Sequence, residues 1–258
     1  MSTALITGAS GGIGKAFAQE LAARQTNLVL VARSEAKLHQ LAQELREQYQ
    51  IRVDVIVTDL TEPDATAAVF EITKTKGLTI DLLINNAGFG DYGDFAKSDR
   101  ERQVKMVQLN VLALVDLTHR FLPLMRQRGS GSIINVASIT AFQPIPYLSV
   151  YAASKAFIVS FSEALWAENR QYGVRVLVTC PGPTETDFFT EANFPPALAE
   201  TTNKVMTTEE VVRHSLKALE RGEPTLIVSD LSTQLRSVVA RLVPRKTLLS
   251  MLAKHFQA

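Results

Sequence analysis

The chain has very little cysteine and no excess of charge of either sign, and both facts exclude classes of protein. Cys180 is the single cysteine among 258 residues, so no intrachain disulfide can form and a reducing compartment is expected. One cysteine and four scattered histidines give no zinc-ligand spacing, and we expect no metal site. The net charge of +1 offers no basic field for the phosphates of a nucleic acid, so we expect no nucleic-acid partner.

Long apolar runs are also missing. The longest stretch without a charged residue, 129–154, is interrupted by Ser, Asn, Gln, Gly and two prolines, whereas a membrane span needs about 20 mainly apolar residues. The N-terminus enters a strand-like run directly, without the charged and apolar regions of a secretory signal. We therefore expect a cytoplasmic protein.

What the chain does contain is a regular alternation of apolar runs and helical periods. Runs rich in Val, Ile and Leu predict buried strands at 4–7, 28–32, 53–57, 82–85, 132–137, 174–179 and 225–228. Apolar residues at three- and four-residue intervals predict helices at 13–24, 35–48, 63–76, 100–127, 151–172 and 208–220. This alternation predicts an α/β fold, with a seven-stranded parallel sheet that has helices on both faces.

No linker, repeat or block of charge divides the sequence, which predicts one domain over residues 1–258. The segment 181–207 is long for a loop, and we expect it to form a substrate lid. The tail 230–258 mixes apolar with basic residues. We favour a tail docked on the domain or on a second subunit, and a basic amphipathic helix in contact with a membrane surface stays the alternative.

A glycine-rich turn follows the first predicted strand and opens the first predicted helix. Gly8, Gly12 and Gly14 allow a tight turn and a close approach of the backbone to a pyrophosphate. The helix N-terminus offers unpaired N–H groups and the positive end of the helix dipole to that anion. A tight turn alone also explains three glycines, but the flanking strand and helix favour a dinucleotide site.

The end of the second predicted strand indicates which dinucleotide is bound. NAD sites carry an acidic residue there for the ribose 2′-hydroxyl, whereas this chain has Arg33 and Ser34. A guanidinium binds the 2′-phosphate that a carboxylate would repel, so the cofactor is predicted to be NADP(H), with an ordinary solvated strand end as the alternative for Arg33. After the third strand, the Asp59 carboxylate can accept a hydrogen bond from the adenine amino group while Leu60 packs on the adenine ring. The alternative is that Asp59 caps the next helix.

A phenol and an ammonium lie four residues apart in the predicted fifth helix. At this spacing Tyr151 and Lys155 project from one face of the helix, and a nearby cation is expected to lower the pKa of the phenol for proton exchange. Ser138 follows the fifth strand, at the sheet edge where such folds bind ligands, and its hydroxyl can bond a reacting carbonyl oxygen. A surface pair and a turn serine are the plainer explanations for these residues.

Taken together, the motifs resemble the short-chain dehydrogenase/reductase family, in its classical subset. The matching positions run in the family's order from residue 7 to residue 186, and they are Thr7, Gly8, Gly12, Gly14, Asp59, Asn85, Asn86, Ala87, Gly88, Asn110, Ser138, Tyr151, Lys155, Pro181, Gly182 and Thr186. The resemblance implies a single Rossmann-like, doubly wound domain. It also implies a common pairing of the fourth and fifth predicted helices across two-fold axes, hence a homodimer or homotetramer.

The resemblance also implies a role for each matched side chain. Tyr151 would be the general acid/base, Lys155 would bind the nicotinamide ribose and lower the Tyr151 pKa, Ser138 would polarise the carbonyl, and Asn110 would hold a helix distortion and a relay water. The residues implied in cofactor binding are Gly8, Ser10, Gly12, Ile13, Gly14, Arg33, Ser34, Asp59, Leu60, Asn86, Ala87, Gly88, Tyr151, Lys155, Pro181, Gly182, Thr184 and Thr186.

One departure weakens the cofactor assignment. NADP-using members often carry a basic residue inside the glycine turn, where this chain has Gly11, so the choice of NADP depends mainly on Arg33. We predict an NADPH-dependent carbonyl reductase, reversible as an alcohol dehydrogenase, that acts on an apolar ketone or aldehyde. A 3-oxoacyl thioester reductase is an alternative, and so is a dinucleotide-binding regulator without turnover. Apolar walls are expected from Phe142, Ile145, Tyr147, Phe188, Phe189, Phe194, Pro195 and Pro196.

Overall fold

The computed structural model describes residues 1–195, 205–229 and 244–256. Its strands are β1 Thr3–Thr7, β2 Asn27–Ala32, β3 Val53–Val57, β4 Leu82–Asn85, β5 Gly131–Val136, β6 Val174–Pro181 and β7 Thr225–Val228. Its helices are α1 Gly12–Ala23, α2 Glu35–Tyr49, α3 Ala65–Thr75, α4 Arg100–Val107, α5 Leu114–Arg128, α6 Ser149–Asn169, α7 Phe188–Glu191, α8 Thr208–Glu220 and α9 Arg245–Phe256. A π-helical turn, Gln108–Ala113, joins α4 to α5.

In the part of the chain that the structure describes, seven strands form one sheet in the order β3-β2-β1-β4-β5-β6-β7, and every neighbouring pair is parallel. This confirms the predicted fold class. The order reverses direction between β1 and β4, because the chain crosses back over the sheet at that point. A crevice opens at the carboxyl ends of the strands beside such a switch point, and it is where doubly wound sheets bind ligands.

Buried strand residues alternate between the two faces of the sheet, which explains why the strands are apolar throughout. On one face Ile6, Leu30 and Leu177 pack in a cluster with helices α1, α2 and α8. On the other face Leu5 and Val29 pack in a second cluster with α3 and α5. The two layers hold the sheet rigid, so the side chains at its carboxyl edge have fixed positions.

The predicted lid, 181–207, is less irregular than expected. Pro181 is the last residue of β6, the segment contains helix α7, and Thr207 caps α8 with its side chain. Thr184 pairs with Met206 in an isolated parallel bridge, so the two ends of the segment are tied together. Residues 196–204, Pro196 among them, lie outside the described part of the chain.

Within the predicted tail, residues 244–256 are described, and they contain helix α9. Leu248 in this helix is buried, and Phe256 packs on a core cluster, so this part of the tail is docked on the domain. The rest of the tail, 230–243 and 257–258, lies outside the described residues. None of the described helices has the length and apolar character needed to cross a bilayer.

Candidate active site

The glycine turn brings the backbone of β1 against that of α1. Gly8 has φ of +66°, and a Cβ there would lie 2.8 Å from Nδ2 of Asn86. A Cβ on Gly14 would lie 2.2 Å from the carbonyl oxygen of Gly8, so only glycine allows this approach of helix and strand. Gly12, with φ of +50°, faces the methyl group of Thr186, 3.0 Å from an ideal Cβ. The turn and the segment after β6 therefore form the two sides of one cleft.

The N-terminus of α1 opens into this cleft, and it fits a pyrophosphate. Gly11 is the N-cap, and no side chain caps the helix there, which leaves its first N–H groups for an anion. Ser10 and Ile13, on either side of the cap, are half-buried. A Cβ on Gly11 would meet nothing within 4 Å, so a basic side chain would find room at this position.

The segment after β4 is pinned to the end of β1. The Thr7 hydroxyl accepts hydrogen bonds from the backbone N–H groups of Asn86 and Ala87, both at 3.0 Å. Nδ2 of Asn86 donates to the carbonyl of Thr7 at 2.9 Å. These bonds bridge the switch point of the sheet, so Asn86 steadies the floor of the cleft.

Arg33, Ser34, Asp59 and Leu60 meet at the outer end of the cleft, after β2 and β3. Ser34 stands at the N-cap of α2, but its hydroxyl makes no capping bond, and Leu60 is buried. The Arg33 side chain is 74% exposed, and its Nη1 lies 3.5 Å from Oδ2 of Asp59. Because this ion pair is long and exposed, the guanidinium is available to a phosphate group.

Asp59 does not cap the next helix, which corrects one of the two readings of this residue. Helix α3 begins at Ala65, and Oδ1 of Asp59 instead accepts hydrogen bonds from the N–H and the hydroxyl of Thr61 at 2.9 and 2.8 Å. Burial raises the pKa of Asp59, but these bonds and Arg33 outweigh it and leave the pKa below its usual value. The carboxylate therefore stays charged beside Arg33.

Asn110 lies in the π-helical turn, so the helix distortion expected at this residue is present. Its Nδ2 donates to the carbonyl of Phe89 at 3.0 Å and to the hydroxyl of Ser154 at 3.1 Å, and its Oδ1 accepts from the Phe89 N–H at 3.1 Å. A Cβ on Gly88 would lie 2.8 Å from that Oδ1 and 3.5 Å from Nζ of Lys155. Asn110 thus holds the chain after β4 against the lysine.

Tyr151 and Ser138 meet at the carboxyl edge of β5. Tyr151 projects from the first turn of α6 and is 7% exposed, and its ring centroid lies 5.2 Å from that of Phe188. Ser138 hydrogen-bonds to the phenol, and its hydroxyl also accepts from the Thr140 N–H at 3.2 Å. The short 3-10 turn at Ile139–Phe142, which Ser138 caps, therefore fixes the serine beside the phenol.

Lys155 shares the face of α6 with Tyr151 and is 4% exposed. Its Nζ donates to the carbonyl of Val136 at 3.0 Å and lies 5.6 Å from the centroid of the Tyr151 ring. Burial lowers the pKa of Lys155 to about 8, against a weaker opposing attraction to Cys180. The expected convergence of Ser138, Tyr151 and Lys155 is thus found in one place.

The direction of the Tyr151 pKa differs from the expectation. We expected Lys155 to lower it, but burial raises it to about 12, and the hydrogen bond from Ser138 offsets only part of that rise. The physical reason is that a phenolate loses its hydration among apolar side chains, while the ammonium points to the Val136 carbonyl. The protein without its cofactor therefore keeps the phenol protonated.

A family model described as short chain dehydrogenase matches residues 2–195. The chain belongs to the short-chain dehydrogenase family. Members of this family bind NAD(P), and the cleft described above has the features that such a cofactor requires.

Individual relatives support the same assignment. The chain is 37% identical to a very-long-chain 3-oxoacyl-CoA reductase of Anas platyrhynchos over 184 residues, which is 69% of this chain and 58% of that protein. A short-chain dehydrogenase from Sphingobium yanoikuyae, solved in complex with NADPH, is 33% identical with a TM-score of 0.84 and covers 97% of this chain and 95% of its own. A bulky-bulky ketone specific alcohol dehydrogenase from Comamonas testosteroni is 33% identical, with a TM-score of 0.80 and coverage of 97% and 94%.

In this short-chain dehydrogenase the residues after β6 form the far side of the cleft. The Gly182 N–H donates to the carbonyl of Val228 at 2.8 Å, and the Thr184 hydroxyl donates to the Gly182 carbonyl at 2.9 Å. The Thr186 hydroxyl accepts from the Phe188 N–H at 3.3 Å, at the start of α7. Pro181, Gly182, Thr184 and Thr186 therefore lie together after β6, with Thr186 opposite the glycine turn.

Beside Ser138, Tyr151 and Lys155, an aromatic wall lines the cleft. It consists of the packed rings of Phe89, Tyr92, Tyr147, Tyr151, Phe188, Phe189, Phe194 and Phe256. Phe142 was expected in this wall, but it packs on a different cluster with Ile158 and Cys180, because the 3-10 turn after Ser138 carries it toward β6. Ile145 is buried beneath the wall.

Sequence reasoning missed several residues that hold this wall in place. Nε of Arg102 donates to Asp91 at 2.8 Å, and its Nη2 donates to the carbonyl of Glu191 at 2.6 Å. Nδ2 of Asn193 donates to the same Asp91 carboxylate at 2.9 Å. These bonds hold α7 against α4. No sequence motif predicts the bonds from Arg102 to Glu191 and from Asn193 to Asp91, because the partners are about 90 to 100 residues apart.

Proposed function

We propose that the protein is an NADPH-dependent reductase of apolar ketones or aldehydes, which in reverse acts as an NADP-dependent alcohol dehydrogenase. The observation that carries this proposal is the convergence of Ser138, Tyr151 and Lys155 at the edge of β5, under an aromatic wall. A reacting carbonyl at this point meets two hydroxyl groups and few charges. These are the groups that proton delivery to a carbonyl oxygen requires.

When bound, the nicotinamide supplies the hydride that goes to the carbonyl carbon. Tyr151 donates its proton to the carbonyl oxygen, and the phenol carries that proton at neutral pH because its pKa lies well above 7. Ser138 donates a hydrogen bond to the same oxygen and so stabilises the negative charge that develops on it. Lys155 holds a positive charge 5.6 Å from the centroid of the Tyr151 ring, and this charge stabilises the phenolate that proton donation leaves behind.

The preference for NADPH rests on the outer end of the cleft. Arg33 is exposed and is the basic side chain at the end of β2, where a carboxylate would repel a 2′-phosphate. The Ser34 hydroxyl makes no capping bond and lies next to it. The NADPH complex of the Sphingobium yanoikuyae relative supports the same choice.

The substrate class follows from the wall. Its rings present an apolar surface beside Tyr151, and a flat or bulky apolar ketone buries its own surface against such rings. The name of the Comamonas testosteroni relative, a bulky-bulky ketone specific alcohol dehydrogenase, agrees with this class. A 3-oxoacyl thioester is the second candidate, favoured by the name of the Anas platyrhynchos relative.

The test of this function is NADPH consumption across a panel of ketones and 3-oxoacyl thioesters. We expect turnover of apolar ketones, and we expect Tyr151→Phe to reduce kcat by on the order of a thousandfold, because the proton donor is lost while the ring stays in place. Tyr172→Phe is the matched control. Tyr172 is 42% exposed in the 3-10 turn that follows α6, so this substitution is expected to leave the rate unchanged.

Dinucleotide binding without turnover of any substrate in the panel would contradict the reductase and favour a regulator that senses the redox state of its cofactor. Full activity in Tyr151→Phe would contradict the assigned proton donor. Turnover of the thioesters alone would favour a 3-oxoacyl thioester, rather than an apolar ketone, as the substrate.

The cofactor preference has a test of its own. Replacing Arg33 by Asp should raise the KM for NADPH at least tenfold more than the KM for NADH, because the new carboxylate repels the 2′-phosphate and leaves the rest of the cofactor untouched. Steady-state kinetics with both cofactors measures this. Equal changes in the two KM values would contradict the role of Arg33.

A further inference from the structure

The aromatic wall includes a side chain from the far end of the sequence. Phe256, in the last turn of α9, packs on the cluster that contains Tyr151, Ile145 and Leu148. Helix α9 also buries Leu248, so it is anchored at both ends of its length. The C-terminal segment therefore reaches the neighbourhood of the catalytic phenol.

Tyr92 is the residue that joins this helix to the rest of the wall. Its hydroxyl donates a hydrogen bond to the backbone carbonyl of Phe256, across 164 positions of sequence. Its ring stacks on Tyr147, with the centroids 5.8 Å apart and the planes at 30°, and lies 5.0 Å from the ring of Phe194. One side chain thus contacts the segment after β5, the segment after α7 and the C-terminal helix.

The backbone around Tyr92 strengthens this junction. The Tyr92 N–H donates to the carbonyl of Ala192 at 2.8 Å, and the Gly93 N–H donates to the carbonyl of Tyr147 at 2.9 Å. Tyr147 has φ of +64°, a left-handed conformation that is rare for a bulky residue and is maintained only where the surroundings enforce it. Burial and the neighbouring Tyr147 raise the pKa of Tyr92, so its hydroxyl remains a donor at neutral pH.

We propose that α9 forms one wall of the substrate chamber and that Tyr92 is the positioning residue that holds it there, so that the pair sets the selectivity for large apolar substrates. The proposal rests on the function proposed above, since the chamber is the ketone site of that reaction. Tyr92 acts through Phe256, whereas Tyr151 carries out the chemistry. A small ketone that does not reach Phe256 is unaffected by either side chain.

The kinetic test uses benzophenone as a large ketone and 2-butanone as a small one. In Phe256→Ala we expect the KM for benzophenone to rise on the order of tenfold, the usual effect of losing one buried aromatic contact, and in Tyr92→Phe roughly threefold. The kcat values and the KM values for 2-butanone and NADPH should stay within about twofold. Met251→Ala, on the exposed side of α9, is the control and should change none of them.

A second measurement does not depend on turnover. Hydrogen–deuterium exchange of residues 245–256 should be faster in Tyr92→Phe than in the parent, because the bond that holds the last turn of α9 is absent, and unchanged in Tyr172→Phe. If the parent reduces no ketone, the proposed function fails and the exchange data alone decide whether Tyr92 holds α9. Unchanged exchange in Tyr92→Phe, or equal KM changes for both ketones and NADPH, would overturn the proposal.

Discussion

Lys155 is a buried ammonium whose position favours chemistry at the expense of stability. It is 4% exposed, and burial lowers its pKa to about 8, whereas an unfolded lysine titrates near 10.5. Below pH 8 the lysine is charged in both the folded and the unfolded state, so the full cost of burying the charge is present. Between pH 8 and 10.5 the unfolded state binds more protons, so this cost decreases as the pH rises.

Replacing Lys155 by Met should therefore stabilise the protein while abolishing activity. We expect the free energy of unfolding at pH 7 to increase on the order of 1 to 3 kcal/mol, since the difference in pKa corresponds to a few kcal/mol and the Val136 carbonyl loses its partner. The increase should shrink toward pH 10. Urea unfolding at both pH values measures this, with Lys97→Met, 85% exposed, as the control.

A parent protein that is more stable than Lys155→Met at pH 7 would show that the environment of the ammonium compensates for its burial.

At the scale of elements, the helix run α4 to α5 and helix α6 present an apolar surface to solvent. Leu112 is 58% exposed, Phe157 43% and Val107 38%, and Phe157 and Val107 line a groove between the two helices. Leu114 in α5 and Trp166 in α6 do not contribute to this surface, because both pack in the core clusters. Val107 and Phe157 therefore share one exposed apolar groove between the two helices.

We propose that this surface pairs with a second copy of the chain, as the family resemblance implies. Phe157→Glu should convert a dimer or tetramer into a smaller species, because a carboxylate buried at an apolar interface has no partner. Light scattering after size-exclusion chromatography measures the mass. Met251→Glu, at an exposed position on α9, is the control. A parent that is already monomeric, or a variant of unchanged mass, would contradict the pairing.

At the scale of the whole molecule, the dinucleotide cleft joins segments from residue 8 to residue 186. The glycine turn, the residues after β4 and those after β6 belong to different crossovers of the sheet, and the cofactor would contact all of them. Binding is therefore coupled to global stability, because the unfolded chain has no such cleft.

NADPH at a hundred times its Kd should increase the free energy of unfolding by about 2.7 kcal/mol, visible as a higher melting temperature. Tyr151→Phe should keep most of this increase, since it removes one hydroxyl contact and leaves the pyrophosphate site intact. Thermal melts with and without NADPH measure both. Loss of the increase in Tyr151→Phe would mean that the phenol is needed for cofactor binding, and the loss of turnover would then say nothing about proton transfer.

Features that depend on neighbouring residues were predicted from the sequence, and features that depend on distant residues were not. Strand and helix positions agree with prediction to within a few residues, because buried strands and amphipathic helices leave a local apolar pattern. The shared face of Tyr151 and Lys155 follows from helix geometry alone. By contrast, the direction of the Tyr151 pKa was wrong, since it depends on the apolar side chains that surround the phenol.

The amino-acid sequence by itself determined the order of the strands and helices, the glycine turn and the pairing of Tyr151 with Lys155 on one helix face, since each of these leaves a pattern within a few neighbouring residues. Only the tertiary structure decided the hydrogen-bond partner of Asp59, the direction of the Tyr151 pKa shift and the place where α9 packs on the domain. The physical reason is that burial and contacts such as that between Tyr92 and Phe256 join residues far apart in the chain, and no local periodicity encodes which distant residue will be the neighbour.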